Sequence, residues 1–396
     1  MTTTPYQRFA LAVFALGFPL FPSLITLEAL TPAGLNIVPR PVVVALALVY
    51  GVLLVTTAPG VLRRLRSPLD KPFALLFACW ILSALLGFDP LGSLFMLVLL
   101  GSTAIAHVVA YHACREGNGE RAFLVPYLAM GCVAAALALV LAVLQRPTAL
   151  VSLAHGRAVG TFLHPGELAG FAMMLAAVGF GAACFARLPA ARGLGWAAGF
   201  LGLAAVGASF SRAAWIGAIV AAVCGGVILL RGRGRLAVVG VLLAGVLAFA
   251  LVGESHHNPD EDYTRLAAWR AGMRAVEAAP LLGTGAVTFW RIYPSLRPPD
   301  GYPQIVHAHD VLLSVATDGG LLGLAVYVAL WWRFVERLRG GLAACGERAR
   351  GMALAIAMGL VGTWVQGTVD LVTVVFVALW FPFMGVALGV LEEGSR

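Results

Sequence analysis

Arginines beside apolar runs are candidates for binding an anion, because a charge in that position is energetically costly without a partner. Arg212 follows Ser209 and Ser211 in a short polar break between two apolar runs. A guanidinium near the hydrocarbon edge costs up to ~3 kcal/mol without a partner, so such a residue marks a candidate site. The serine hydroxyls and helix N-terminal amides would add donors for a phosphate. The alternative is a structural role, in which Arg212 bonds the carbonyls of its own loop.

A second arginine lies on a helix-like stretch from Tyr263 to Ala278. On a helix of that register, Arg265 and Trp269 share one face, whereas Arg274 lies about 180° from Arg265. Arg265, backed by Trp269, can therefore point at a bound ligand. The alternative is that Arg265 only anchors the helix in the membrane interface by snorkelling.

A third polar segment runs from Arg157 through His164 and Pro165 to Glu167. Arg157 and His164 are candidate substrate contacts. Glu167 stands at the start of an apolar run, where a carboxylate complements the dipole of the helix it begins. Taken alone, the segment fits either a site or a helix cap.

His307 and His309 precede another apolar run. In an extended segment their imidazoles would lie on one side, but catalytic zinc needs a third ligand, and we predict no metal and no cofactor. A neutral histidine at a helix start is suited to accept a proton near neutral pH. Asp318 does not fit as its partner, because nine residues along a helix give ~13.5 Å of rise and the opposite face.

Membrane helices carry these residues. The 396 residues are 60% hydrophobic and 12% charged, with a mean hydropathy of +0.91, which excludes an ordinary water-soluble protein. We predict an all-α polytopic membrane protein, a single transmembrane domain over residues 1–396 with about twelve helices. The candidate spans are 8–27, 41–58, 71–88, 91–112, 122–145, 166–186, 193–209, 213–230, 236–253, 310–332, 351–369 and 371–391.

The distribution of charge predicts the orientation. An even number of spans puts both termini on one side, and most of the 27 Lys and Arg residues fall in the loops of that side. The positive-inside rule makes it cytoplasmic, so the candidate sites lie on the outer side of the membrane. The net charge of +8 is then a topology signal and not evidence for a nucleic-acid partner.

One outer loop, residues 254–308 between spans nine and ten, is far longer than the usual helix connection. It contains the helix-like stretch and a turn-rich segment, Pro280-Leu-Leu-Gly-Thr-Gly285. We therefore predict an ordered loop on the outer side that contains short helices and carries function.

Arginines without an acidic metal-binding cluster suit a diphosphate held without a divalent ion, and a nearby histidine suits deprotonation of a hydroxyl. Together they predict a transfer reaction on a lipid diphosphate. The chain has no Ser-His-Asp or Cys-His constellation for acyl transfer and no Gly-x-x-x-x-Gly-Lys run for nucleotides.

Four motifs, in this order, resemble the bacterial O-antigen ligase and polymerase superfamily. They are Arg157-x-x-Gly-Thr-Phe-x-His-Pro, Ser-x-Ser-Arg212, Arg265-x-x-x-Trp followed by Pro280-Leu-x-Gly-x-Gly, and His-x-His309 before a span. The likeness covers about residues 150–330, and the span count extends it to the whole chain. Two positions depart from the family pattern, since Gly166 and Asp310 stand where members often have Asn.

The resemblance implies a metal-independent glycosyltransferase whose donor is glycan linked to undecaprenyl diphosphate and whose acceptor, in the ligase branch, is the lipid A core oligosaccharide. It implies that Arg212 and Arg265 bind the diphosphate and stabilise its leaving charge, and that His309 is the base or orients the acceptor hydroxyl. The positions predicted to contact substrate are Arg157, His164, Ser211, Trp269 and His307.

Two other functions stay open. A polymerase would share the donor and differ in the acceptor. A transporter of an anionic or lipid-linked solute would also place arginines in a cavity, but it predicts internal repeats, and the long loop and the His-x-His motif occur once. The predicted partners are the donor, the acceptor and membrane lipids, and the sequence does not predict an oligomeric state.

Overall fold

The computed structural model describes residues 2–20, 51–53, 55–61, 66–146, 156–162, 164–229, 239–240, 243–245, 247, 259–299, 301–370 and 374–395. In these residues every regular element is helical, which confirms the all-α class. The main helices are α1 (Pro5–Gly17), α2 (Asp70–Leu86), α3 (Pro90–Arg115), α4 (Val125–Leu144), α5 (Pro165–Phe185), α6 (Pro189–Ala208), α7 (Arg212–Leu229), α8 (Pro259–Ala278), α9 (Phe289–Leu296), α10 (Val311–Ala344), α11 (Glu347–Gly367) and α12 (Val374–Gly394).

Five helical segments of the described residues are long and apolar enough to cross a membrane. They are Pro90–Arg115, Glu120–Leu144, Pro165–Phe185, Pro189–Ala208 and Val311–Ala344. The chain is therefore a multi-pass helical membrane protein. The predicted spans 41–58 and 236–253 lie largely outside the described residues, and the total of about twelve stays a prediction.

Side-chain caps fix the helix ends that carry the polar motifs. The Asp310 carboxylate accepts a hydrogen bond from the backbone nitrogen of Leu313 at 2.7 Å, and His164 Nδ1 accepts one from Gly166 at 3.2 Å. Both residues have extended backbone and satisfy amides that have no partner within their own helix. Each polar motif is thereby held rigidly at the start of a helix.

Small residues bring the central helices together. A side chain on Gly195 of α6 would lie 2.5 Å from the backbone nitrogen of Ala183 in α5, and one on Gly179 would lie 2.6 Å from the nitrogen of Gly199. Helix pairs in membranes associate through such close backbone approaches. Glycine is required at this crossing because nothing larger fits between the two backbones.

The turn-rich segment of the long loop stabilises a break in α10. Gly320 has φ 65° and ψ −171°, which interrupts the helix. The backbone nitrogen of Thr284 donates to the carbonyl of Thr317 at 2.8 Å, and that of Leu321 donates to Pro280 at 2.8 Å. Because irregular backbone at membrane depth must be satisfied by protein groups, the Pro280–Gly285 motif has a structural role here.

The two ends of the bundle are distinct. At one end, here called the termini end, Arg115 pairs with Glu392 at 2.9 Å and Arg187 pairs with Glu393. The backbone of Thr3 donates to Glu116 at 2.7 Å there, so the first residues and α12 meet. The polar motifs lie at the opposite end, since α5 starts there and its 21 residues span about 30 Å. Among the described residues, Arg115 and Arg187 thus lie at the end opposite to the polar motifs, while the membrane face of each end stays a prediction.

Candidate functional site

Three arginines from separate segments meet at the first turn of α8. Arg157 pairs with Glu261. Arg212 Nη2 lies 3.0 Å from Asp262 Oδ1, and Arg265 Nη1 lies 2.7 Å from the same oxygen. The structure therefore brings together the three arginines that the sequence analysis selected, and their partners are acids that it did not select.

Asp370, just beyond the end of α11, joins the arginines to the histidines. Its Oδ1 lies 3.5 Å from Arg265 Nη2 and 3.8 Å from His309 Nδ1, and its side chain is 5% exposed. Burial alone would raise the pKa of this carboxyl. The imidazole of His309 and the charges of Arg265 and His164 outweigh burial and hold the pKa below its ordinary value. Asp370 is therefore a buried carboxylate between the arginines and the histidines.

His309 has an unusual backbone. Its φ of 51° lies in the left-handed region, which costs of order 1–3 kcal/mol for a residue with a side chain and persists only where the surroundings enforce it. The indole nitrogen of Trp269 donates to the His309 carbonyl at 3.2 Å and helps to enforce it. Within the described residues, His309 Nδ1 is buried and has no hydrogen-bond partner.

His307 and His164 lie near His309, and burial disfavours the charged form of both imidazoles. The rings of His307 and His309 are 4.3 Å apart at an angle of 71°. Burial, with His309 and His164 nearby, lowers the pKa of His307 well below its ordinary value. Burial also lowers the pKa of His164, although Asp370 and Glu261 oppose the shift. A cationic imidazole is thus disfavoured at both neighbours of His309.

The two departures from the family pattern have local explanations. Asp310 caps α10, because its carboxylate accepts the hydrogen bond from the backbone of Leu313. Burial raises the pKa of Asp310, and the amides of Leu313 and Leu312 counteract that shift. A side chain on Gly166 would start 2.8 Å from Asp370 Oδ2. Glycine at this position leaves room for the Asp370 carboxylate.

The Ser209–Arg212 turn is built by its own hydroxyls. Phe210 has φ 47°, the Ser209 hydroxyl accepts from the backbone of Ser211 at 3.2 Å, and the Ser211 hydroxyl accepts from Ala214 at 3.4 Å. Both serines are buried. The serine hydroxyls therefore position Arg212, and contact of Ser211 with a substrate stays a prediction.

Sequence reasoning missed Glu261, Asp262 and Asp370. Three acids begin α8, a pattern that ordinarily only complements the helix dipole. Asp370 carried a clearer signal, since a lone carboxylate between two apolar runs is a candidate site by default. In the described ranges no group of three or more His, Cys, Asp or Glu residues could hold a metal ion.

Part of the candidate site lies in a region that matches a known family. Residues 197–328 match the family model described as O-Antigen ligase. The match contains Arg212, Arg265 and His309, whereas Arg157 and Asp370 lie outside it. No curated protein matches the chain. The family match confirms the predicted resemblance to the O-antigen ligase and polymerase superfamily.

Proposed function

We propose, from the premise that residues 197–328 match the O-antigen ligase family, that this protein is an O-antigen ligase. It would move O-antigen glycan from undecaprenyl diphosphate to the lipid A core oligosaccharide, without a metal. The proposal includes about twelve spans, cytoplasmic termini and a site on the periplasmic face of the bacterial inner membrane. The observation that carries it is the convergence of three arginines with His309 at the end of the bundle away from the termini.

The arginines suit the diphosphate of the donor. Arg212 and Arg265 both reach one carboxylate oxygen of Asp262, so a single phosphate of similar size could contact both guanidinium groups. Guanidinium binds phosphate with parallel hydrogen bonds and keeps its charge at all relevant pH values. As the bond from the glycan to the diphosphate breaks, negative charge grows on the leaving oxygen, and fixed cations stabilise it.

His309 suits the acceptor side of the reaction. Its Nδ1 faces Asp370, which leaves Nε2 for the acceptor hydroxyl. The imidazole would take the hydroxyl proton while the oxygen attacks the anomeric carbon, and the diphosphate would leave with the electron pair of the broken bond. Asp370 would stabilise the resulting imidazolium and hold the ring in place. Asp370 is thus proposed as a positioning residue for His309.

The test is glycan transfer by the purified protein from the lipid diphosphate donor to lipid A core. Transfer should persist in EDTA and should fall by about a hundredfold in His309→Ala, a typical loss for a general base. Asp370→Asn should lower kcat with little change in the donor KM. No transfer by the unaltered protein, or full activity in His309→Ala, would contradict the proposal. If glycan repeats were instead joined on the lipid carrier, the polymerase reaction would replace the ligase reaction.

A further inference from the structure

One carboxylate already lies where the proposed function puts a phosphate. Asp262 contacts Arg212 Nη2 through both of its oxygens, at 3.0 and 3.3 Å, and Arg265 Nη1 through one, at 2.7 Å. A carboxylate that bridges two guanidinium groups has the charge and hydrogen-bonding geometry of a bound phosphate oxygen pair. Asp262 and the diphosphate of the glycan donor therefore compete for the same N–H groups of Arg212 and Arg265.

The surroundings of Asp262 favour exchange, in contrast to the neighbouring pair. The Asp262 side chain is 48% exposed and that of Arg212 is 30% exposed. Arg265 is only 17% exposed, but its Nη2 also lies 3.5 Å from Glu261 and 3.5 Å from Asp370, so it keeps countercharges when Asp262 leaves. Glu261 and Arg157 are 22% and 6% exposed and form a much more buried pair. Breaking an exposed ion pair costs little, whereas breaking a buried one strands a charge. Asp262 can therefore leave its arginines while Glu261 keeps Arg157 in place.

Charge makes the exchange selective. The carboxylate of Asp262 carries one negative charge, as does a phosphodiester headgroup of an ordinary phospholipid. Such a headgroup would replace one single charge with another and gain little from the two guanidinium groups. A diphosphate carries more negative charge and has two phosphates to place on Arg212 and Arg265, so its Coulombic gain is larger.

We propose that Asp262 is an internal competitor of the donor, occupying the place of its phosphate and yielding it to a diphosphate but not to a phosphodiester. The inference rests on the proposed function, because it assigns Arg212 and Arg265 to the donor diphosphate. Asp262 is then a specificity-determining residue of the transfer reaction. It also keeps the two guanidinium groups from repelling each other before the donor arrives.

The experiment compares donor KM and inhibition by two soluble probes, inorganic pyrophosphate and dimethyl phosphate, in the purified full-length protein. Asp262→Asn should lower both the donor KM and the inhibition constant of pyrophosphate by about tenfold, the equivalent of two modest ion pairs. Dimethyl phosphate should inhibit Asp262→Asn at concentrations that leave the unaltered protein unaffected. Asp262→Ala should behave in the same way, which guards against a defect specific to asparagine.

Glu277→Gln, at the exposed far end of the same helix, is the matched control and should leave all three constants unchanged. A raised KM in both Asp262 variants would show that Asp262 positions the arginines, and an unchanged KM would show that it does not compete. Either result overturns the inference while transfer by the unaltered protein upholds the proposed function. Absence of transfer in the unaltered protein would instead overturn the proposed function and the inference with it.

Discussion

The two ends of the helix bundle both carry ion pairs of arginine with acids, but they differ in burial and connection. At the termini end the pairs are separate, and the side chains of Arg187 and Glu393 are 54% and 23% exposed. At the site end the side chains of Arg265 and Asp370 are 17% and 5% exposed. There, Asp262 and Glu261 each contact two arginines, and Asp370 contacts an arginine and a histidine.

The arginine–acid ion pairs therefore have different roles at the two ends of the bundle. Exposed pairs contribute about 0–1 kcal/mol and are screened by salt, so those at the termini end only tie helix ends together. Buried charges are costly to desolvate, and removing one partner leaves the other uncompensated. The site end thus holds charges that are tolerated only as a connected group, which is the condition expected of a binding site and not of a membrane anchor.

The largest expected difference between the ends is in glycan transfer. Arg212→Ala and Arg265→Ala should each lower kcat by about 10²–10³, the usual loss when a fixed group that stabilises developing charge is removed. Arg187→Ala at the termini end should change it less than about twofold, because its pair is exposed. The measurement is transfer by purified variants whose folding is checked by thermal unfolding. Equal losses of kcat in the variants of both ends would show that the arginines of the site end are only structural.

A second difference should appear in stability. Glu261→Gln removes the Glu261 countercharge from the buried Arg157 guanidinium and should lower the free energy of unfolding by about 3 kcal/mol. Glu393→Gln removes the partner of an exposed arginine and should cost less than about 1 kcal/mol. Thermal unfolding in detergent compares the two variants. Similar losses in both would contradict the contrast in burial.

Two glycines allow a matched steric comparison. Gly166→Asn places a side chain 2.8 Å from Asp370 Oδ2 and should displace that carboxylate from His309. Transfer should fall by about tenfold, the equivalent of 1.4 kcal/mol. Gly346, at the start of α11 on the termini end, has open space around its Cβ position, and Gly346→Asn should retain full transfer. A fully active Gly166→Asn would mean that the close packing on Asp370 is unimportant.

The smallest effect concerns pH. Burial lowers the pKa of His307 and of His164 in the folded protein, so the unfolded chain binds more protons than the folded one below the ordinary value of 6.5. This contribution to stability is present above about pH 6.5 and is lost as the pH falls below it. The unfolding temperature should therefore drop between pH 7 and pH 5. The unfolding temperature of His307→Asn should drop less over this pH range. That of Arg187→Ala should drop as much as that of the unaltered protein.

Much of the fold followed from the sequence because apolar length is a local property. The predicted spans 71–88, 122–145 and 166–186 correspond to Asp70–Leu86, Glu120–Leu144 and Pro165–Phe185, each within two residues at either end. The helix-like stretch of the long loop starts at Pro259, four residues before the prediction. The break at Gly320 was not predicted, since its hydrogen-bond partners come from the distant Pro280–Gly285 segment.

The membrane class and the selection of the arginines and His309 follow from the sequence alone, because a charge beside an apolar run is costly wherever the chain folds. Which groups lie opposite those charges depends on how the helices pack. Asp262 is 50 residues from Arg212, and Glu261 is 104 residues from Arg157. No periodicity encodes such a pair, because the energy of a buried charge depends on the groups that packing brings within a few ångströms. The arginines of the site could therefore be selected from the sequence, whereas their acidic partners could be identified only from the structure.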